Sequence, residues 1–282
     1  MARFRLLIEY AGTRYSGWQI QKNARTVQGE IDRAIRTATG RAEFELYGSG
    51  RTDAGVHALA QVAHLDIYTS LQPEPLRRRI NDELPADIHI IAIDRAPHKF
   101  HARHDARSRS YLYQISRRRT AFAKPYVWWI KEPLDLAAMR KAAEAFVGLK
   151  DFEAFTDDDP QEKSTRVLLE RLEIEDAGAL VLIRVQGSHF LWKMVRRIVG
   201  VLAAVGRGEL KAAAAAALLT KDAPTHSPAP AALTAPSAGL FLEGVYYDGD
   251  KGPGPIRPVV IIEETPGLGA RRSALGTREN PD

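Results

Sequence analysis

The chain opens on an alternation: Phe4, Leu6, Ile8 and Tyr10 are separated by mostly polar residues, the period of a strand with one buried face. From Thr26 to Thr39 the period lengthens. Val27, Ile31, Ala34, Ile35 and Ala38 fall on one side of a helix, and Gly40 ends it. Strands follow near Phe44–Tyr47 and over Ala58–Ile67, where Ala63, Leu65 and Ile67 alternate with Val62, His64 and Asp66. A short helix after Pro73-Glu74-Pro75 and a strand at Ile88–Asp94 complete the order β-α-β-β-α-β. The order then repeats: strand Ser110–Ile115, helix Leu134–Val147, strand Val167–Glu175, a turn at Ala177-Gly178, strand Leu180–Gln186, helix Phe190–Val205 and strand Leu240–Tyr247. An alanine-rich helix over Glu209–Leu219 is inserted before the last strand, its composition giving high intrinsic propensity.

The doubled pattern predicts an α+β fold of two tandem ferredoxin-like units, their mainly antiparallel sheets joined side by side and leaving a central cleft. Residues 1–105 make the N-terminal half and 106–249 the C-terminal half. Ala223–Ser237, rich in Pro and Ala and without periodicity, reads as an ordered loop. Beyond Asp248 the composition turns to Gly, Pro and Arg, with only Val259–Glu263 resembling a strand. Residues 250–282 therefore read as a largely disordered tail.

Composition narrows the chemistry. No apolar run reaches the ~18 residues of a membrane span, and the N-terminus reads as a strand and not a signal peptide, so a cytoplasmic location without membrane contact is expected. The net charge of +5 is modest. Its basic residues are clustered, however, at Arg77-Arg78-Arg79, Arg117-Arg118-Arg119, Arg103 with Arg107 and Arg109, and Lys193 with Arg196-Arg197. With Tyr111, Tyr113, Phe122, Tyr126, Trp128 and Trp129 nearby in sequence, they suit RNA or DNA, although any one cluster also fits a solvated face. Cysteine is absent, which removes disulfides, zinc ribbons, thiolate nucleophiles and deaminase sites of the Cys-Cys-His kind. Neither G-x-G-x-x-G nor G-x-x-x-x-G-K-[ST] occurs, so no nucleotide cofactor is expected. His98, His101 and His104 have a metal-like spacing, but Lys99 and Arg103 would repel a cation and only Asp105 could complete a ligand set. No metal is expected.

The remaining candidates are Asp, Tyr, Arg, His, Ser and Lys, and one loop gathers them: Gly48-Ser49-Gly50-Arg51-Thr52-Asp53-Ala54-Gly55-Val56-His57. Its three glycines let another molecule approach the main chain. Arg51 and Asp53, two apart, leave one side of an extended chain, and a guanidinium there would keep the carboxylate ionised, lowering its pKa by roughly 1 to 3 units. The same spacing fits a surface ion pair worth about 0 to 1 kcal/mol.

Several stretches resemble the bacterial tRNA pseudouridine synthases that modify the anticodon arm, the TruA family: Ser16-Gly17-Trp18-Gln19-Ile20-Gln21, Thr26-Val27-Gln28-Gly29-Glu30, the loop from Ser49 to Ala58, Phe100-His101-Ala102-Arg103, Arg109-Ser110-Tyr111-Leu112-Tyr113, Asp151-Phe152-Glu153-Ala154-Phe155, Phe190 to Gly200, and Thr234 to Leu240. They run in order from Ser16 to about Asp248. The resemblance implies that Asp53 is the catalytic aspartate, Arg51 its motif partner, Tyr111 the ring stacked on the target uracil, Arg196 a basic residue close to Asp53, and Leu240 an apolar residue of the pocket. It adds Trp18, Gln19, His57, Arg103 and Arg197 as substrate-binding residues. It further implies an isomerase that converts uridine to pseudouridine at tRNA positions 38, 39 and 40, a homodimer, and no cofactor or metal. Arg197 stands where Asn is frequent in the family, which implies a more electrostatic RNA contact there.

The reaction breaks the N1–C1′ bond of uridine, turns the base and joins C1′ to C5. A carboxylate can attack C1′, remove a ribose proton to give a glycal, or add to C6 of the ring, and the residues alone leave all three open. Of Tyr111 and Tyr113, one is expected to pack inward while the other faces the cleft. A non-catalytic RNA-binding protein of the same fold is the main alternative, opposed by the intact set Arg51, Asp53, Tyr111 and Arg196. A nucleoside hydrolase of retaining type would need a second carboxylate about 5 Å from the first, and Asp66 and Glu45 are unmotivated partners.

Overall fold

Thr26 starts the first helix by accepting a hydrogen bond at Oγ1 from the Gly29 amide (3.2 Å), and Gly40, at φ 65°, closes it in the left-handed region that favours glycine. A computed structural model describes residues 1–220 and 228–264. The first half contains β1 (Ala2–Tyr10), α1 (Val27–Thr39), β2 (Phe44–Gly48), β3 (His57–Ile67), α2 (Pro73–Glu83) and β4 (Ile88–Arg95). The second contains β5 (Ser108–Ser116), β6 (Trp128–Trp129), α3 (Leu136–Ala143), β7 (Gly148–Asp151), β8 (Arg166–Ala177), β9 (Leu180–Gly187), α4 (Met194–Gly206), α5 (Ala212–Ala217) and β10 (Leu240–Tyr246).

These strands form one mixed sheet in the order β4-β1-β3-β10-β5-β9-β8-β7, with β2 also on β3 and β6 on β5. Pairing is antiparallel except at β3–β10 and β5–β6. The halves meet along β10, which joins β3 through Phe241 opposite His57 and β5 through Leu242 opposite Tyr111. Each half has its own core on the helix-bearing face. Phe4, Leu6, Ile8, Leu65 and Ile67 pack on Ile31, Ile35, Leu76 and Ile80, while Tyr113, Ile115, Ile183 and Val185 pack on Met139, Ile198 and Leu202. Two helix layers on one face of one sheet leave a trough between them, floored by the central strands. Tyr111 and Tyr113, two apart on β5, share that helix-bearing face. Tyr113 is fully buried with its hydroxyl donating to Pro236 O (2.7 Å), whereas Tyr111 stands half-buried at the trough, so the division runs along the strand.

Several expected boundaries shift for physical reasons. The late helix begins at Met194 and not Phe190, because Lys193 has φ 62° and cannot continue a right-handed helix. The helix expected over Leu134–Val147 is α for Leu136–Ala143 and tightens into a 3₁₀ turn at Glu144–Phe146. The alanine-rich helix is only Ala212–Ala217, flanked by Lys211 in extended conformation. The tail also differs from expectation as far as Glu264. Ile262 is buried with Leu112, Leu180 and Leu182 on the face opposite the helices, the Val259 amide donates to Gln114 Oε1 (2.6 Å), and Arg118 Nε donates to Glu263 O (2.9 Å). Val259–Glu263 is packed without strand pairing. The rest of the expected tail, and residues 221–227 of the Pro- and Ala-rich loop, lie outside the described residues. Among the described residues no helix is long and apolar enough to cross a membrane.

Candidate active site

The loop between β2 and β3 is fastened at almost every residue. Ser49 donates its amide to Val62 O (2.7 Å) and its hydroxyl to Gln61 Oε1 (2.8 Å), and Gln61 Nε2 donates to Gly50 O (3.1 Å). Thr52 is held on both sides, its hydroxyl 2.8 Å from the Tyr10 hydroxyl and its carbonyl accepting the Trp18 amide (3.0 Å). Asp53 then opens a turn, its carbonyl accepting the Val56 amide (3.1 Å), while the Gly55 amide donates to Tyr15 O (3.2 Å). A carboxylate carried on so constrained a backbone is pre-organised.

The three loop glycines serve different ends. Only Gly50 has open space where a Cβ would stand; at Gly48 that atom would meet the Trp18 ring at 2.7 Å, and at Gly55, with φ 77°, the Ser237 hydroxyl at 2.5 Å. A fourth glycine matters as much. Gly17, at φ 90°, would place a Cβ 2.6 Å from Thr52 O, the carbonyl that anchors the residue before Asp53. Gly17→Ala is therefore expected to destabilise the protein by more than about 1 kcal/mol in urea denaturation and to lower activity per folded molecule. Unchanged activity in folded Gly17→Ala would show that the Thr52 anchor does not set the Asp53 geometry.

The second half supplies the opposite wall. Arg196, in the first turn of α4, brings Nη1 to 3.7 Å from Asp53 Oδ2. Its Nε donates to Ala235 O (2.7 Å), and the Ala235 amide donates back to Arg196 O (3.0 Å). Leu240 and Leu242 of β10 and Tyr111 of β5 line the floor, and the Phe190 ring meets the Tyr111 ring edge-on at 5.1 Å. The cleft has a volume of about 1040 Å³, at the upper end of the ~300–1,000 Å³ usual for small-ligand sites.

The electrostatics reverse one expectation. The Asp53 side chain is 28% exposed. Burial pushes its pKa above the usual carboxylate value, and Arg196, with Lys193 and Trp192, draws it only part of the way back. The partner is Arg196 and not Arg51, which is exposed and makes no ion pair among the described residues. Proximity in sequence suggested the wrong guanidinium. Burial, helped by the nearby Asp53 charge, pushes Tyr111 up to about 12, so its ring stays a neutral phenol.

Most residues expected at the site are there. Asp53, Arg51, Tyr111, Arg196, Leu240, Trp18, Gln19 and Arg103 all line the cleft. Trp18 is also core, 1% exposed against Tyr10, and the Gln19 amide donates to Gln28 Oε1 (2.9 Å). His57 and Arg197 are placed elsewhere. His57 is buried, its Nδ1 accepting the Gly12 amide (3.0 Å) and its Nε2 2.9 Å from Pro125 O, so both nitrogens are committed to backbone. Arg197 is buried against Asp157 and offers no face to RNA. Of the carboxylates weighed as a second catalytic group, Asp66 is paired with Arg3 and Glu45 is exposed on β2, whereas the acidic residue that does share the cleft is Asp158. The His101 ring packs edge-on against His64 (4.6 Å) and tilted against His104 (4.1 Å).

Sequence reasoning missed the structural weight of Arg109. Its guanidinium donates to the carbonyls of Ala106 (3.2 Å), Ser188 (2.9 Å), Ser49 (3.1 Å) and Arg103 (2.8 Å). It thereby knots the Asp53 loop to the turn that leads into β5 and to the approach to α4. The signal available in sequence, an Arg beside Ser110-Tyr111, said only that a cation was present.

An ionisable carboxylate beside one guanidinium, over an apolar floor and an aromatic ring, can act as nucleophile or base on a flat, uncharged group. The comparisons with known proteins agree with such a role. A sequence profile described as tRNA pseudouridine synthase matches residues 6–105 and 142–248. A protein of Rhodopseudomonas palustris (strain BisA53) named tRNA pseudouridine synthase A is 40% identical over 252 residues, covering 88% of this chain and all of the relative. One of the same name from Thermoanaerobacter sp. (strain X514) is 38% identical over 251 residues, again 88% of this chain and all of the relative.

Proposed function

The chain belongs to the tRNA pseudouridine synthase family, and from that premise we propose that it converts uridine to pseudouridine at positions 38, 39 and 40 of the tRNA anticodon stem-loop, with Asp53 as the nucleophile or base. The observation that carries this reading is the Asp53 carboxylate, partly desolvated, 3.7 Å from Arg196 in a cleft that also holds the Tyr111 ring. The target nucleotide must leave its stack to enter, at a cost of a few kcal/mol. Stacking on Tyr111 would return about 1 to 3 kcal/mol of that. The pair Asp53–Arg196 then acts where the bond between N1 and C1′ breaks and the bond between C5 and C1′ forms, with the hydrogen of C5 leaving as a proton.

Attack at C1′, removal of a ribose proton and addition at C6 all place a carboxylate against the same nucleotide, and all three remain compatible with this site. The division of labour between halves belongs to the same reading: residues 1–105 carry Asp53, and 106–249 carry Tyr111 and Arg196. So does a cytoplasmic homodimer, as in the family the chain resembles. For the surrounding RNA, phosphate contacts fix position without reading sequence, which suits an enzyme acting on neighbouring uridines. Among the basic clusters, Arg77 and Arg78 are both tied to Glu74, at 2.8 and 2.9 Å, which leaves Arg79 the freer of that trio.

Release of tritium from tRNA labelled at uracil C5 tests the reading, because only rearrangement frees that hydrogen. Release from tRNAs with uridine at 38, 39 or 40, and none when those positions lack uridine, is the expected result. RNA binding without release would favour the non-catalytic alternative.

A further inference from the structure

Arg196 reaches Asp53 from the first turn of a helix that is entered through a strained residue. Lys193, at φ 62°, is one of two non-glycine residues with positive φ among the described residues, a conformation that residues with a Cβ rarely adopt. Two consecutive carboxylates from the loop after β7 bind this turn. Asp158 Oδ2 accepts the Trp192 amide (3.0 Å) and Lys163 Nζ (2.9 Å). Asp157 grips both ends of the first helical turn, Oδ2 accepting Lys193 Nζ (2.8 Å) and Oδ1 accepting Arg197 Nη2.

Lys193 caps α4, its carbonyl accepting the Arg197 amide (3.0 Å), so the two residues bracket the first turn, and Arg196 projects about 100° round the axis from Arg197. Fixing the first pair fixes both the height and the rotation of that turn. The aim of Arg196 follows from both. The Arg197 side chain is 4% exposed, and among the described residues its Nε has no hydrogen-bond partner and Asp157 is its only carboxylate partner. A buried guanidinium left without that partner would pull the turn toward water or another acceptor.

We propose that Asp157 is a positioning residue for the reaction: by holding Lys193 and Arg197 together it sets the approach of Arg196 to Asp53. This rests on the reading of Asp53 as the catalytic carboxylate. Asp157 lies outside the residues lining the cleft. It acts through α4 and not through substrate.

The test is Asp157→Asn, with Asp157→Glu as the conservative rescue, in the full-length enzyme. Single-turnover tritium release at saturating tRNA should fall on the order of tenfold in Asp157→Asn, with tRNA affinity changed less than about twofold, since a misplacement of about 1 Å at a reacting group costs up to 10²-fold. The acid limb of the rate should move to higher pH. The charged and titratable groups acting on Asp53 are Arg196 and Lys193 from α4 and its entry and Tyr111 from β5, and retreat of Arg196 removes the largest influence that lowers the Asp53 pKa. Asp157→Glu should recover both rate and profile. A merely structural Asp157 would lower the melting temperature and leave the pH profile where it was, which would overturn the proposal. So would tighter tRNA binding at unchanged rate, the sign that Asp157 only shields Lys193 from RNA. Where Asp157→Asn folds poorly, Arg197→Met, which cuts the same contact without leaving a buried charge unpaired, decides: a slower rate with the acid limb at higher pH supports the proposal, and an unchanged rate and profile reject it. Turnover surviving in Asp53→Asn would instead remove the underlying reading of the site.

Discussion

Asp53→Asn is expected to lower turnover by about 10⁴-fold or more while making the folded protein more stable at neutral pH. The loss follows from chemistry: an amide of nearly the same shape can neither attack a sugar carbon nor accept a proton, and removal of a catalytic group of this kind costs on this scale. The gain follows from linkage. Burial raises the Asp53 pKa in the folded state more than Arg196 lowers it, so the folded protein holds this proton more tightly than the unfolded chain does. Stability from the protonated form is fully present below the unfolded pKa, about 3.9, and is lost as pH rises through the higher folded value. At neutral pH the enzyme thus carries an ionised carboxylate at a net cost in stability, and Asn removes it. Arg196 keeps its bond to Ala235 O in the variant. Melting temperatures at pH 7 should be higher for Asp53→Asn than for the parent, with the difference shrinking as pH is lowered toward about 4. Affinity for tRNA should stay within a few-fold. A lower melting temperature at pH 7 would mean that the ion pair with Arg196 outweighs desolvation.

The same residue shows how far the sequence could be read. Its loop stood out because glycines, an Arg and an Asp crowd ten positions, and the alternation in β1 and the helical period in α1 were legible because each of those elements buries one face. What local pattern cannot express is which distant group arrives. Arg51 was the partner suggested by spacing and Arg196 only by the family resemblance, and the guanidinium beside Asp53 comes from residue 196, across the junction of β3 and β10. His57 and Arg197 have side chains suited to RNA, and their burial depends on Gly12, Pro125 and Asp157, none of them close in sequence. The late start of α4 was hidden for another reason. Lys193 has no propensity for positive φ, and the side chains that bind this turn, Asp157 and Asp158, lie more than thirty residues earlier.

Arg109→Met is expected to destabilise the protein by about 3 kcal/mol or more, the sum over several acceptors left unpaired. Removing a half-buried guanidinium is costly when the acceptors it serves are left unpaired. Here the abandoned partners are four main-chain carbonyls, at Ser49, Arg103, Ala106 and Ser188. Burial lowers the Arg109 pKa, but a guanidinium stays charged in proteins and its five donors in a planar fork can serve several acceptors at once. An ammonium has three donors on one atom and cannot span the same four. Arg109→Lys should therefore still lose about 2 kcal/mol or more, and its rate should fall because Ser49 and Ser188 lead into the Asp53 loop and into α4. Urea denaturation gives the first quantity and single-turnover tritium release the second. The clustering of Arg103, Arg107 and Arg109 in the sequence suggested phosphate contacts instead, and the two roles separate cleanly. A phosphate ligand at Arg109 would show as weaker, less salt-dependent tRNA binding in Arg109→Lys with stability intact. A main-chain knot shows as lost stability and rate with the salt dependence of binding unchanged.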